Sequence, residues 1–338
     1  MRQISFSRYG PPEVFAVREA PTPSPGPGEV RIAVRAAGVN FADVLARVGL
    51  YPDAPKPPLV VGYEVAGQVD AVGSGVTRFT KGDRVVALTR FGGYATDVVV
   101  AEPYVFPFHS ELSDAEAAAL PVNYLTALIA LYRMANVAAG ETVLIHGAGG
   151  GVGIAAIQLA RLRRATIIGT ASASKHRALR SYGVDHLVDY RTVDVAREVR
   201  RITGNRGVDV VLDPIGGQSF SVSYRLLAPL GRLIMFGVSA VSRGERRNWL
   251  HAARAMMQMP RFKPLSLINK NRGVFGLNLA HLWDEQGQLA SAMQLLLEDV
   301  GHRRLLPVIA RTFPLERAGD AHRYMQQREN IGKIVLTV

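Results

Sequence analysis

Val143-Leu-Ile-His-Gly-Ala-Gly-Gly-Gly-Val-Gly153, running on into Ile154-Ala-Ala-Ile-Gln-Leu-Ala160, decides the fold of this chain. Its first residues read as a short apolar strand and its last as an amphipathic helix, with a glycine-rich turn between them. A strand that passes through such a turn directly into a helix is the geometry that holds a dinucleotide pyrophosphate. The spacing Ala148-x-Gly150-x-x-Gly153 varies the usual fingerprint by placing alanine first. Small residues permit the tight turn and let the backbone approach the ligand. The helix N-terminus offers unpaired N–H groups and a partial positive charge to the phosphates. Ala148, Gly150, Gly151, Val152 and Gly153 are therefore expected to hold a nicotinamide dinucleotide.

The residues downstream bear on which one. A free ribose 2′-hydroxyl usually meets an acidic residue about 20 positions past the glycines. After Thr166-Ile-Ile-Gly-Thr-Ala171, read as the second strand, the chain offers Ser172-Ala-Ser-Lys-His-Arg177 instead. A cationic, hydroxyl-bearing loop suits a 2′-phosphate, so NADPH is expected over NADH, which remains possible. The competing reading is that Lys175 and Arg177 merely begin a solvated helix.

Outward from this stretch, strands and helices alternate. Candidate strands are Val143–His146, Thr166–Thr170, His186–Val188, Val208–Leu212, Arg232–Phe236 and Val274–Leu277, the pattern of a doubly wound parallel sheet. Before Pro121 the chain reads differently, as short strands broken by Gly and Pro: Glu29–Arg35 alternates, Val60–Val72 is strand-like, and Gly82–Leu88 follows a turn. A long helical pattern after Ala280 precedes a strand at Leu305–Thr312, a helix from Leu315 and a last strand at Gly332–Thr337. The expected fold is α/β, a doubly wound (Rossmann) unit over 122–299 joined to a β-rich unit made from 1–121 and 300–338.

The chain has 338 residues, enough for two cores, and a formal net charge of +12. Positive charge gathers between Arg243 and Arg272, where Arg246, Arg247, Arg254, Arg261, Lys263 and Lys270 meet only Glu245. This suits an anionic partner such as a coenzyme A thioester, an acyl carrier protein or anionic lipid; arginine-rich composition along the whole chain is the competing account. Nucleic acid is not expected, because aromatics do not interleave the basic residues. No apolar run approaches the roughly 18 residues that span a bilayer, and the first ten residues lack a secretory apolar core, so a cytoplasmic location without integral membrane association is expected. With no cysteine, disulfides, thiolate nucleophiles and Cys-ligated zinc are excluded. The histidines show no ligand spacing: His146 reads as a satisfied core residue and Asp213, before Pro214, as a turn residue.

Several segments together resemble the medium-chain dehydrogenase/reductase superfamily, specifically its zinc-independent quinone oxidoreductase branch. They are Ala37-Gly-Val-Asn-Phe-Ala-Asp43, Gly49-Leu-Tyr-Pro52, Gly62-Tyr-Glu64, Gly82-Asp-Arg-Val85, Val122-Asn-Tyr-Leu-Thr126, the glycine turn and Asn330-Ile-Gly-Lys333. Within that branch Gly169–His176 and Gly207–Gly217 look most like the vesicle amine transport protein homologues, for which enzymatic and membrane-associated roles have both been proposed. The resemblance implies a GroES-like catalytic unit beside the Rossmann unit, and a homodimer paired through the edge strand around Val274–Leu279. Zinc-dependent relatives carry Cys where this chain has Asn40 and His where it has Tyr63, so no metal is expected.

Without a Lewis acid the implied chemistry is hydride delivery to an electron-poor carbon, either the β-carbon of a carbonyl-conjugated double bond or a quinone. Charge then builds on the carbonyl oxygen, which needs donors. Asn40 and Tyr51 are the candidates, Tyr51 by similarity to enoyl-thioester reductases with a Gly-x-Tyr-Pro segment. The competing roles are a helix cap for Asn40 and loop packing for Tyr51. The resemblance also places Thr126 beside the nicotinamide, Tyr190 with Ser172 and Lys175 near the 2′-phosphate, and Lys333 near the cofactor, with an ordinary surface lysine as the competing reading for Lys333. Phe236, Gly237 and Val238, ending a strand at the carboxyl edge of the sheet, are expected to hold the carboxamide through their backbone. Glu64 reads as structural.

Overall fold

The computed structural model describes residues 1–108, 111–242 and 244–338, so Arg243, at the head of the basic run, lies outside the described residues. The chain forms two compact units. One comprises Met1–Leu125, Gly244–Arg247 and Ala280–Val338, the other Thr126–Arg243 and Asn248–Leu279.

The second unit is built on a six-stranded sheet whose spatial order is His186–Val188, Thr166–Thr170, Thr142–Ile145, Val208–Asp213, Leu227–Met235 and Gly273–Gly276. Every pairing is parallel. Counted along the chain the order is 3-2-1-4-5-6, which reverses beside Thr142–Ile145, and ligands of such sheets bind at the carboxyl ends of the strands at that reversal. Val143, Leu144 and Ile145 are all buried, as expected of a strand covered on both faces. Leu144 joins Ile168, Val188, Val211 and Leu233 in one apolar cluster. Each such side chain contributes about 1.5–3 kcal/mol through burial.

The first unit carries a seven-stranded sheet ordered Ile309–Pro314, Lys333–Thr337, Glu29–Val39, Glu64–Val72, Arg84–Leu88 and Val105–Pro107, with Asp97–Ala101 also paired to Glu29–Val39. The long Glu29–Val39 strand is the hub. Val30, Ile32 and Val34 point into the core, while Arg31 on the opposite face reaches Asp70 at 2.8 Å. The final strand returns antiparallel to it with Ile334 opposite Val39, which carries Lys333 to the side of Asn40.

The boundaries differ from the sequence expectation: the Rossmann unit begins at Thr126, Gly244–Arg247 falls in the β-rich unit, and so does the Gln286–Gly301 helix, expected with the Rossmann unit. For the helix the reason is local packing: Trp283 stacks on Tyr104 with centroids 4.2 Å apart, and Tyr104 donates to the Trp283 carbonyl at 2.6 Å.

Candidate active site

The glycine turn follows the Thr142–Ile145 strand at the sheet reversal. Gly147 adopts φ +64°, and the Gly150 N–H closes on the Gly147 carbonyl at 2.9 Å. Among the described residues no side chain caps the start of the Gly151–Leu162 helix, where first-turn N–H groups could meet an anion. Glycine at 153 is required sterically, since a Cβ there would stand 2.5 Å from the Gly147 oxygen and 2.6 Å from the Ala148 oxygen. A Cβ on Gly149 would meet the Lys175 side chain at 2.8 Å, so Lys175 lies along the turn. Ser172 starts the Ala173–Ser181 helix, on which Lys175 is half-buried and Arg177 exposed. Asp189 accepts from the Ala173 N–H at 3.1 Å and the Arg191 N–H at 2.9 Å, bringing the exposed Tyr190 to the edge that carries Ser172. Phe236-Gly237-Val238 follows the fifth strand, and a Cβ on Gly237 would lie 2.9 Å from the Pro214 oxygen. Two turns are thus packed together at the carboxyl ends of neighbouring strands.

His146 is a satisfied core residue. Its ring nitrogens face Thr170 Oγ1 at 3.2 Å and Ser223 Oγ at 3.1 Å, and burial lowers its pKa. Asp213 accepts from the Ile215 N–H at 2.8 Å and from Ser219 and Ser223, each at 2.7 Å, as a turn residue should.

In the β-rich unit, Asn40 sits at the N-cap position of the Phe41–Arg47 helix and forms a capping box with Asp43, whose carboxylate accepts the Asn40 N–H at 2.7 Å, so the helix-cap reading is met. Its amide also joins a buried ring. Lys333 Nζ donates to Asn40 Oδ1 at 2.7 Å, Asn40 Nδ2 donates to Glu64 Oε1 at 2.9 Å, and Lys333 closes an ion pair with the same Glu64 oxygen. Residue exposures are 7% for Asn40, 0% for Glu64 and 3% for Lys333. The other Glu64 oxygen accepts the Val122 N–H at 2.7 Å, at the start of the Pro121–Leu128 helix on which Thr126 lies buried. Lys333 is thus not a surface lysine: its ammonium is bonded to Glu64 and Asn40. Glu64 proves to be the hinge of the ring.

Around this ring lies a buried polar chain that sequence reasoning missed. Asp43 accepts from the N–H groups of Asn40 at 2.7 Å and Gly62 at 2.9 Å, and from Tyr94 at 3.2 Å. Tyr94 meets His322 Nε2 at 3.1 Å, and Arg47 donates to His322 Nδ1 at 3.3 Å. Burial pushes the Asp43 carboxyl up to about 7 against the pull of those N–H donors. Burial, then the neighbouring Arg47 charge, holds His322 well below the usual imidazole range. The one signal in the sequence was Asp43 and Arg47, four apart in an otherwise apolar short helix. Tyr51 packs edge-on to Tyr63 with centroids 6.2 Å apart. The Tyr63 hydroxyl is buried and has no hydrogen-bond partner among the described residues, and burial pushes its pKa far up.

A parallel sheet ordered 3-2-1-4-5-6 with a glycine turn at its reversal, joined to a β-rich unit carrying a polar ring, defines a two-unit dehydrogenase or reductase fold. Residues 26–110 match the alcohol dehydrogenase GroES-like domain and residues 182–336 a zinc-binding dehydrogenase domain. The synaptic vesicle membrane protein VAT-1 homolog of Homo sapiens is 40% identical over 320 residues, covering 94% of this chain and 81% of that protein. Among solved structures, Escherichia coli quinone oxidoreductase complexed with NADPH superposes with TM-score 0.89 at 28% identity, covering 100% of both chains. The CurK enoyl reductase superposes with TM-score 0.86 at 31% identity, covering 99% of this chain and 98% of that one. The chain belongs to the medium-chain dehydrogenase/reductase superfamily, in the branch that holds the quinone oxidoreductases and the VAT-1 homologues.

Proposed function

We propose that this chain is a zinc-independent, NADPH-dependent reductase that delivers hydride to a carbonyl-conjugated C=C bond, in an enone or enoyl-CoA-type thioester, or to a quinone. The observation that carries the reading is the Asn40 amide. With Oδ1 bonded to Lys333 and one Nδ2 hydrogen to Glu64, the second Nδ2 hydrogen is left over for a substrate oxygen. As a hydride reaches the β-carbon, charge grows on the carbonyl oxygen, and one fixed donor there is worth about 3 kcal/mol. Tyr51 either orients the substrate or gives its proton to the α-carbon and regains one from water.

The dinucleotide fits the glycine turn, where a Cβ at 153 would clash with backbone and the helix start is uncapped. Gly150, Gly151, Val152 and Gly153 would hold the pyrophosphate; Ser172, Lys175 and Tyr190 the 2′-phosphate; Thr126 and Phe236–Val238 the nicotinamide end. Bound there, the cofactor would supply the hydride. The quinone oxidoreductase solved with NADPH supports the choice of cofactor. Zinc does not fit: Asn40 is engaged through both polar atoms, burial keeps Tyr63 from ionising to a phenolate, and the Lys333 ammonium would repel a divalent cation. The edge strand Gly273–Gly276, paired on one side to Leu227–Met235, supports a homodimer through that edge. Exposed Arg254, Arg261, Lys263 and Lys270 favour a coenzyme A or acyl-carrier thioester, handled in the cytoplasm. The test is NADPH oxidation against a quinone, a simple enone and short enoyl-CoA thioesters, with NADH in parallel. Turnover of none of them, with intact NADPH binding, overturns the reading.

A second reading is favoured by one surface. Leu250, Met257, Leu265 and Ile268 are 86%, 79%, 73% and 67% exposed on two short helices that also carry Arg254 and Lys270. Apolar side chains beside cations suit an anionic membrane, and a non-enzymatic, vesicle-associated protein of this fold would use them. Among the described residues no helix is long and apolar enough to cross a membrane. Sedimentation with anionic liposomes at two salt concentrations decides: salt-sensitive binding without turnover supports this second reading.

A further inference from the structure

We propose that Lys333 is a positioning residue that fixes the flip of the Asn40 amide and so aims its remaining N–H at the substrate oxygen. The inference rests on the reductase reading above. An asparagine amide is nearly symmetric in shape, so its two flips differ only in what the neighbours can donate and accept. An ammonium only donates and a carboxylate only accepts. With Lys333 Nζ at 2.7 Å on one atom and Glu64 Oε1 at 2.9 Å from the other, a single flip satisfies both. The reversed flip would set the carbonyl oxygen against the carboxylate and the NH2 against the ammonium, with all three residues buried.

The arrangement is specified from far along the chain. Lys333 and Asn40 are 293 residues apart, and the pairing of Ile334 with Val39 brings them together. Neither charge gains stability by default, since a buried ion pair is often no better than apolar residues of the same volume. What the pair adds is direction. Through its second oxygen Glu64 also holds the Val122 N–H, so the carboxylate that orients Asn40 also anchors the first turn of the helix bearing Thr126.

The experiment uses the full chain with Lys333→Met, Lys333→Arg, Asn40→Ala, and the doubles K333M/E64Q and N40A/K333M. Lys333→Met should lower kcat about 100-fold, the scale of one lost oxyanion donor, with the Kd for NADPH within about twofold of the parent. Lys333→Arg should recover most of kcat. K333M/E64Q removes the stranded carboxylate and should recover thermal stability without recovering kcat. N40A/K333M should be no slower than N40A, because Lys333 acts through Asn40. A kcat that returns together with stability in K333M/E64Q, or losses that multiply in N40A/K333M, would overturn the proposal. An independent readout is the Asn40 side-chain NH2 in protein labelled with 15N-asparagine, assigned by its loss in Asn40→Asp. It should give two sharp proton resonances in the parent and broadened or merged ones in K333M; unchanged resonances reject the positioning role. Should the parent reduce no acceptor, the reductase reading falls, while the amide spectrum still decides whether Lys333 sets the flip.

Discussion

Three glycines of one turn should respond to alanine in three different ways, because an added Cβ meets different things at each. At Gly153 it would lie 2.5, 2.6 and 2.7 Å from the Gly147 oxygen, the Ala148 oxygen and the Ala148 carbonyl carbon. Ordinary contact begins at 3.4 Å, so the turn and helix must separate by about 0.9 Å (3.4 − 2.5), and all three atoms are backbone that cannot rotate away. Overpacking of this kind costs about 1–3 kcal/mol. Gly153→Ala should therefore lower the melting temperature by several degrees, at about 2–4 °C per kcal/mol, and weaken NADPH binding as the helix N-terminus shifts. At Gly150 the backbone is extended and the Cβ meets only the Gly147 oxygen, at 3.3 Å. Gly150→Ala should keep the melting temperature yet weaken NADPH, because the methyl group occupies the space above the turn. At Gly149 the neighbour is the flexible Lys175 side chain, so alanine there should weaken NADPH more than NADH. Calorimetry with fluorescence titration of both dinucleotides reads all three. Gly153→Ala that melts and binds like the parent would refute the steric reasoning.

Other outcomes follow from the same contacts. Lys175→Ala should raise the Kd for NADPH about tenfold, or 1.4 kcal/mol, and leave NADH nearly unchanged by titration; equal effects would remove Lys175 from the 2′-phosphate. Leu144→Ala, in the central strand with its side chain fully buried, should cost about 2–5 kcal/mol in denaturant unfolding. Glu141 accepts from Arg232 at 2.7 and 2.8 Å, and that bond holds its carboxyl below the usual 4.5. A depressed acid contributes stability above its unfolded pKa that is lost as pH falls through the folded one, so the stability gap between the parent and Glu141→Gln should be constant above about pH 5 and close below it. Tyr63→Phe should leave stability equal or higher, because the hydroxyl it removes is buried with no partner among the described residues; a loss above about 1 kcal/mol would show that the hydroxyl is bonded in solution.

The Rossmann unit was legible because its strands are short apolar runs bounded by glycine and charge. Thr166–Thr170 and His186–Val188 lie where the pattern put them. The fifth strand begins at Leu227 and not Arg232 because Pro229, Leu230 at φ +65° and Gly231 interrupt the apolar run, while Val208 still pairs with Leu227 across the break. In the β-rich unit the strand expected from Val60 starts at Glu64. Gly62 turns at φ +109° with its Cα face against Gly93 and Tyr94, and a strand cannot run through that turn. Asn40 could be singled out by type and place, but its partners could not: spacing along the chain carries no information about a register 293 residues away.

The Phe41–Arg47 helix has seven residues, too few to persist by propensity, so side chains must hold it. Asp43 fastens its start, bonding the Asn40 N–H and tying it to Gly62, one residue before Tyr63 and two before Glu64. Arg47 fastens its end, donating to the Gly10 carbonyl and to Gln326 Oε1 at 2.8 Å. Asn40 is thus fixed through its backbone by Asp43 and through its amide by Glu64 and Lys333. A residue needed only to cap a helix requires one of these contacts, and a metal ligand would have to give up the amide bonds. Fixing both the backbone and the amide suits a group whose direction matters more than its reach, which is the requirement placed on a donor to a developing oxyanion.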